Sequence, residues 1–579
     1  MMVRAILVAL AVSCAAQVID DNQRRSSATV GTGRLEGAIH DVAGNPIKRA
    51  EVTLKGEGLE RVVLADDTGT FSFAGLPAGR FTIAAQKPGY PATSFGTTRA
   101  NRPGSGLFLG PGQVRTGVNV TLTRGAVITG TVFDDRGQPI SGVSVSAVAV
   151  RHTPGGDGVY TTVAMGDNAA ESNERGIYRI YGLPPGEYTV GSPGRYAAVS
   201  GGDLRIETEA DNTAVVAAIA RVGPTAPGTT TQDSILYNYV PVFHPSALDP
   251  SDATTFVVAG GEVRSGIDVH LQLRPMSRLE GVVMGPDGSG MRAQISYWRK
   301  DRSRGANGLT VLPSSVDGRF SQQRLSPGEY TVMARSVEFP SQVALQDVSA
   351  SGESIVRVSM ILNTAPTLVG RIVFTSVGPT RFSTVPKPVI YARSVDMPLQ
   401  SKPAAVGPGG VFVIDGLVPG RYRLSASLDP ARDSTWVLES ATVEAIDVTD
   451  MPFTVAASDA LHAIVTLTER GSSITGTLAV LSGSPTDYLI VVIPADRKYW
   501  DAERRKAIVR PDIDGRYAFM KLPPGDYRLA ALTDVVSDDL TDRDTLEAIF
   551  SQSVPVSVAL GEAKPLDLKI GGGGAFSLN

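Results

Sequence analysis

Residues 176–188 read Gly176-Ile177-Tyr178-Arg179-Ile180-Tyr181-Gly182-Leu183-Pro184-Pro185-Gly186-Glu187-Tyr188. Reduced to its fixed positions, this is glycine, one residue, aromatic, four residues, leucine, two residues, glycine, one residue, aromatic. The same frame occurs at Gly69-Phe71-Leu76-Gly79-Phe81, Gly318-Phe320-Leu325-Gly328-Tyr330, Gly410-Phe412-Leu417-Gly420-Tyr422 and Gly515-Tyr517-Leu522-Gly525-Tyr527. Five copies without slippage mark one fold unit repeated along the chain.

Within the frame, Tyr178 and Ile180 alternate, as do Phe71 and Phe73, Phe412 and Ile414, and Tyr517 and Phe519. Alternation puts these side chains on one face of a strand. The third copy departs, with polar Gln322 at the second position. Leu183-Pro184-Pro185-Gly186 then reads as a turn, Pro presetting φ and Gly accepting a positive one. A second alternating strand follows, as in Tyr188 and Val190. The frame predicts a hairpin, with the recurring leucine plugging the open end of a sandwich beneath the turn.

A second signature precedes each copy: Leu35-Gly37-Ile39, Ile128-Gly130-Val132, Leu279-Gly281-Val283, Leu368-Gly370-Ile372 and Ile474-Gly476-Leu478. Glycine inside a strand marks a bulge or the close approach of another backbone. Alternating closing strands follow, such as Val118-Val120-Leu122 and Val356-Val358-Met360. Many short strands with Gly/Pro turns make an all-β chain of β-sandwiches. One short helix is expected at 542–550.

These marks predict an export signal at 1–16, a linker at 17–32, and β-sandwich modules at 33–125, 126–275, 276–365, 366–470 and 471–579. The second carries an insertion at 192–255 and the fifth ends in a glycine-rich tail. Each module is expected to have its own core. Strung end to end, five sandwiches of about 30–35 Å would reach about 150 Å.

A Gly-x-Val first strand, then Gly-x-Phe, then Leu-Pro-Pro-Gly-x-Tyr resembles the carboxypeptidase regulatory-like domain. That resemblance implies a transthyretin-like sandwich, often grouped with carbohydrate-binding-like folds, and no peptidase activity of its own. The frame is also similar to the B-type repeats of collagen-binding adhesins, some of which form Lys–Asn isopeptide bonds from a first-strand lysine. The five first strands here contain no lysine, so no such bonds are expected.

Composition narrows the function. A formal net charge of −4 argues against nucleic acid, which needs a basic face to displace counterions. No internal apolar run reaches the roughly 18 residues needed to span a bilayer. Arg4, the apolar stretch 5–12 and Ser13-Cys14-Ala15-Ala16 read as a signal with its cleavage zone. Cleavage near Ala16 and lipid attachment at Cys14, the single cysteine, both remain open, and either puts the chain in the periplasm, at the cell surface or outside the cell.

Catalytic chemistry is not legible. His40, His152, His244, His270 and His462 lack the HExxH spacing of a zinc peptidase. His270, on an alternating strand, should face solvent. Asp512-Ile513-Asp514-Gly515 begins like a calcium loop but lacks the later acidic ligands, and reads as an ordinary turn. Asp538, Asp539, Asp542, Asp544 and Glu547 read as a solvated helix start. No catalytic residue, cofactor or metal is expected. Loop aromatics are the one hint of binding: Tyr90, Phe95 and Phe108 after the first frame, Tyr237, Tyr239 and Phe243 after the second. Tyr297, Trp298, Trp436, Tyr499 and Trp500 lie in later modules. Planar rings stack on sugars or grip peptide side chains. The chain is read as an exported, non-catalytic binding or scaffold protein with glycan or envelope protein as partner, the alternative being a passive spacer or accessory domains of a cell-surface system.

Overall fold

The computed structural model describes residues 31–570 apart from 98, 157, 163–168, 194–235, 301–308, 353–354, 376–387, 428–435, 458 and 482–483. The expected signal, Cys14, most of the second-module insertion and the glycine-rich tail lie outside the described residues.

Among the described residues, ten sheets form five two-sheet sandwiches on one plan. The strand with the first-strand glycine lies inside one sheet, antiparallel to the first strand of the frame and parallel to the closing strand. In the fourth module Thr367–Thr375 pairs with Val411–Ile414 on one side and Ala460–Thr468 on the other. The second strand of the frame belongs to the opposite sheet: Gly328–Ser336 lies between Ala293–Arg299 and Gln342–Ala350.

The two frame strands therefore do not pair with each other, and the expected hairpin is corrected to an arch that carries the chain between sheets. Its cause lies at the residue before the leucine. Gly75, Gly182 and Gly416 there have φ of 69°, 74° and 67°, and Arg324 and Lys521 adopt the same left-handed conformation at 65° and 63°. A residue in that region bulges the strand and re-aims it. In the fifth module the register slips at this point, with Ile474 opposite Phe519 but Ser472 opposite Leu522. The leucine at the crossing is buried in every copy: Leu76, Leu183, Leu325, Leu417 and Leu522.

Register is held at both ends of the first strand. Its glycine stands opposite the first aromatic of the arch in all five modules, as Gly37 with Phe71, Gly130 with Tyr178, Gly281 with Phe320, Gly370 with Phe412 and Gly476 with Tyr517. A Cβ on Gly370 would come within 2.0 Å of Phe412 Cζ, so the ring occupies the space a side chain would need. At the turn, Gly318 has φ 80°, and its Cβ would come within 2.0 Å of the Val283 carbonyl. In four arches the closing tyrosine donates its hydroxyl to a carbonyl four residues back: Tyr188 to Pro184 at 2.9 Å, Tyr330 to Ser326 at 3.0 Å, Tyr422 to Val418 at 3.0 Å and Tyr527 to Pro523 at 2.7 Å. Burial pushes Tyr188 and Tyr527 up to about 12, which keeps each phenol a donor. The first arch has Phe81 there and no such bond is possible.

Two features tie modules together. The strand Leu273–Met284 runs unbroken through the expected 275/276 boundary, pairing at its start with Leu236–Tyr239 of the insertion and later with the third module's own strands. The expectation of wholly separate cores is corrected for modules three and four. Trp298, Met333 and Val343 of the third module join the fourth module's core around Phe412, Tyr422 and Val443. The expected helix forms at Arg543–Ser551, capped by Asp542, and buries Leu546 and Ile549 in a second small core of module five with Trp500.

Left-handed backbone costs a residue with a Cβ on the order of 1 kcal/mol, and glycine little. Lys521→Gly should therefore stabilise the fifth module by about 1 kcal/mol, and Gly182→Ala should destabilise the second by a similar amount. Denaturant unfolding checks this, and destabilisation by Lys521→Gly would show that the arch does not strain that residue.

Candidate functional site

The loop aromatics do not gather into one surface. Tyr90 and Phe95 pack against the first module's core, and Phe108 projects outward at 53 % exposure. Tyr239 leans on the second core and its hydroxyl donates to Asp135 at 3.2 Å. Phe243 packs on Val148, Val150 and Tyr160. Tyr237 lies on the strand Leu236–Tyr239. Trp298 and Trp436 belong to the shared core of modules three and four, and Trp500 is buried with its indole N–H donating to the Pro494 carbonyl at 3.2 Å. Tyr297 meets Tyr330 edge-on in the third core. Lys498 and Arg505 both lie over the Tyr499 ring. The planar surface needed for sugar stacking is thus taken up by packing at most of these positions.

Polar candidates are likewise engaged. His270 is exposed, as expected, and stacks on Phe133 at 4.9 Å. His244 Nδ1 lies 2.6 Å from the Asp268 carbonyl. Asp512 accepts from the N–H groups of Asp514 and Arg516, as a turn should. Among the described residues no group of three or more His, Cys, Asp or Glu gathers around one point. A groove of about 420 Å³ between modules three and four is lined by Val343, Leu345, Met360, Pro366 and Pro419, with no aromatic ring and no titratable side chain.

What the structure does bring together are junctions centred on module five. The loop elaboration of module one reaches it directly. Arg99 donates from its backbone N to Asp534 Oδ2 at 2.7 Å, and from Nη2 to the Asp534 carbonyl at 2.5 Å and Asp539 Oδ2 at 2.9 Å. Arg102 Nη2 donates to Asp539 Oδ1 at 2.7 Å, and Ser105 Oγ to the Asp487 carbonyl at 2.9 Å. The carboxylate-bearing side chains are 0 % exposed for Asp534 and 3 % for Asp539. The solvated reading of the acidic cluster is corrected here. Asp538 and Asp544 do face water, but Asp539 is buried, Asp542 caps the helix by accepting from Thr545 N at 2.9 Å, and Glu547 pairs with Arg497. Asp542 also accepts from the N–H of His152 in module two.

Module four meets module five at a second ion cluster. Arg504 donates from Nε to Asp450 Oδ1 at 2.6 Å and Arg505 from Nε to Asp450 Oδ2 at 2.7 Å; Arg504 Nη1 also bonds the Leu438 carbonyl at 2.9 Å. Burial pushes the Asp450 carboxyl up, but Arg504 and Arg505 outweigh it and hold the group below the ordinary carboxylate range. Module five thus touches modules one, two and four, and the expected end-to-end string is corrected: its two ends meet. Sequence reasoning missed Arg99, Arg102 and Asp450. Two arginines three apart in a loop of small residues were the available signal, and it is not specific.

Residues 34–123 match the family of the carboxypeptidase regulatory-like domain. No curated protein matches the chain. Among solved structures, a streptococcal ancillary pilin is 11 % identical and covers 57 % of this chain and 99 % of its own, with a TM-score of 0.20. Two B repeat units of the collagen-binding protein of Staphylococcus aureus are 10 % identical over 76 % of this chain and 100 % of theirs, with a TM-score of 0.14. The full-length RrgB pilus protein of Streptococcus pneumoniae is 8 % identical over 78 % of this chain and 98 % of its own, also at 0.14. The family match falls within the first module, and the described residues form five two-sheet β-sandwiches in tandem.

A carboxylate whose pKa is depressed in the folded state contributes stability above its unfolded pKa, and that contribution is lost as pH falls through the folded one. The junction of modules four and five should therefore hold at neutral pH and loosen below about pH 4. Asp450→Asn should flatten this acid slope and lower stability at neutral pH by about 2–3 kcal/mol, since two guanidinium groups then face a neutral amide while Arg504 keeps some contact with water. Unfolding followed across pH 2–7 checks both, and an unchanged acid slope in the variant would remove Asp450 as its source.

Proposed function

We propose that this chain is an exported, non-catalytic scaffold whose five sandwiches, at 33–125, 126–275, 276–365, 366–470 and 471–579, are drawn into one closed block. The observation that carries the reading is the buried Arg99–Asp534–Asp539–Arg102 junction between the first and last modules. Removing charges from water is expensive, and the hydrogen bonds made by the Asp534 carbonyl and the Arg99 N–H offset part of that cost here. Such a junction selects one arrangement of modules.

A passive spacer gains length by keeping its ends apart, and the meeting of modules one and five speaks against it. Attachment to envelope glycan or protein through the loop aromatics has narrower support. Of the described rings in the two elaborations, Phe108 is the exposed one, while Tyr90, Phe95, Tyr239 and Phe243 lean on their own modules. Export, by cleavage near Ala16 or by lipid on Cys14, belongs to the same reading, which rests on the signal pattern at 1–16.

Small-angle scattering tests the closed block. Compact scaling for this length gives a radius of gyration of about 25 Å, against about 40 Å for five modules in line. The exported chain should lie nearer the lower figure, and Arg99→Glu should raise it. A wild-type value close to the higher one sinks the closed arrangement.

A further inference from the structure

The junction of modules one and five joins two unlike surfaces, and a heterologous contact of that kind closes within one body or continues from copy to copy. We infer that the module-five pocket is a receptor for the 99–105 segment as such, and that a second copy of this chain can supply it, linking chains head to tail. The inference rests on the closed-block reading and deepens it.

Three observations carry it. Part of the pocket is fixed within module five itself: Asp539 accepts from the Val536 N–H at 3.0 Å, which orients its carboxylate, and the carbonyls of Asp534 and Asp487 supply further acceptors. Recognition is confined to a short stretch, with Arg99, Arg102 and Ser105 making the polar contacts through side chains and one backbone N–H. With the segment seated the Asp534 and Asp539 side chains are nearly buried against Arg99 and Arg102, and a vacated pocket keeps two adjacent carboxylates that attract any segment with the same spacing of guanidinium groups. Within one chain the segment is tethered at high effective concentration, so self-closure prevails until a chain loses its own segment or its own pocket.

Two full-length variants separate these halves. Arg99→Ser with Arg102→Ser keeps the pocket and loses the segment. Asp534→Asn with Asp539→Asn keeps the segment and neutralises the pocket, while the amide oxygen that replaces the Asp539 carboxylate can still accept from the Val536 N–H. Each alone should sediment as a monomer. An equimolar mixture should give a two-chain species, dispersed by excess synthetic peptide of residues 97–105. The arginine-less variant should also take up that peptide in calorimetry, and the wild type, whose pocket is filled, should bind it weaker by about tenfold or more. Uptake by that variant supports the pocket even where the donor variant folds poorly. A mixture that sediments only as monomers, together with no peptide uptake, overturns the inference. A compact wild type with non-interacting variants sinks the exchange alone, whereas an extended wild type sinks the closed block beneath it.

Discussion

In every module an aromatic ring of the arch stands across the sheet from a glycine on the neighbouring strand. The pairing works because the ring fills space that a side chain on the neighbour would claim, as the 2.0 Å approach at Gly370 shows. A slip of one residue would set the ring against a Cβ and turn each buried residue of the strand to water. With register held, the turn glycine falls beneath a carbonyl of the first strand, the leucine falls at the crossing, and the second arch strand is delivered to the opposite sheet. The spacing of the frame is the record of this geometry. Five copies keep it because one inserted residue would break several contacts at once.

The junctions obey different physics. Modules three and four meet largely through apolar surface, with Trp298 and Met333 pressed into a neighbour's core, and Arg335 Nη2 adds one hydrogen bond to the Gly416 carbonyl at 2.8 Å. Module five meets modules one and four through guanidinium–carboxylate contacts in poorly hydrated settings. Apolar contacts tolerate rearrangement, whereas bidentate and backbone-supported ion pairs demand one geometry. Module five, carrying the only described α-helix, is in contact with modules one, two and four.

The arch frame, the first-strand glycines, the terminal helix and the all-β class were legible because each is written in a short window of chain. Local spacing records which backbone conformation a residue adopts. It does not record which sheet receives the next strand: Leu183-Pro184-Pro185-Gly186 suits a hairpin and an arch equally, and the left-handed residue that decides the matter is Gly182 in one module but Lys521 in another. The junctions were less legible still. Arg99 and Asp534 are 435 residues apart, and nothing near either one names the other. Trp298 beside Tyr297 looks like an exposed pair; it is buried because a different module covers that face. The loop aromatics misled for a related reason, since a ring in a loop reads alike whether it awaits a ligand or rests on its own core.

The parallel closing strand has a mechanical consequence. Because it lies beside the first strand and runs the same way, tension applied at the two ends of a module slides these strands past each other. The rungs between them then share the load, whereas strands peeled from one end would surrender rungs singly. The shared length differs among modules: nine paired positions in the fourth and seven in the third, but two runs of three in the fifth and two runs of two in the first and second. Under a steady pull, read in single-molecule force extension, the first two sandwiches should yield at the lowest force and the fourth at the highest. The array would then lengthen in steps, the first two sandwiches dissipating work while the third and fourth stay folded.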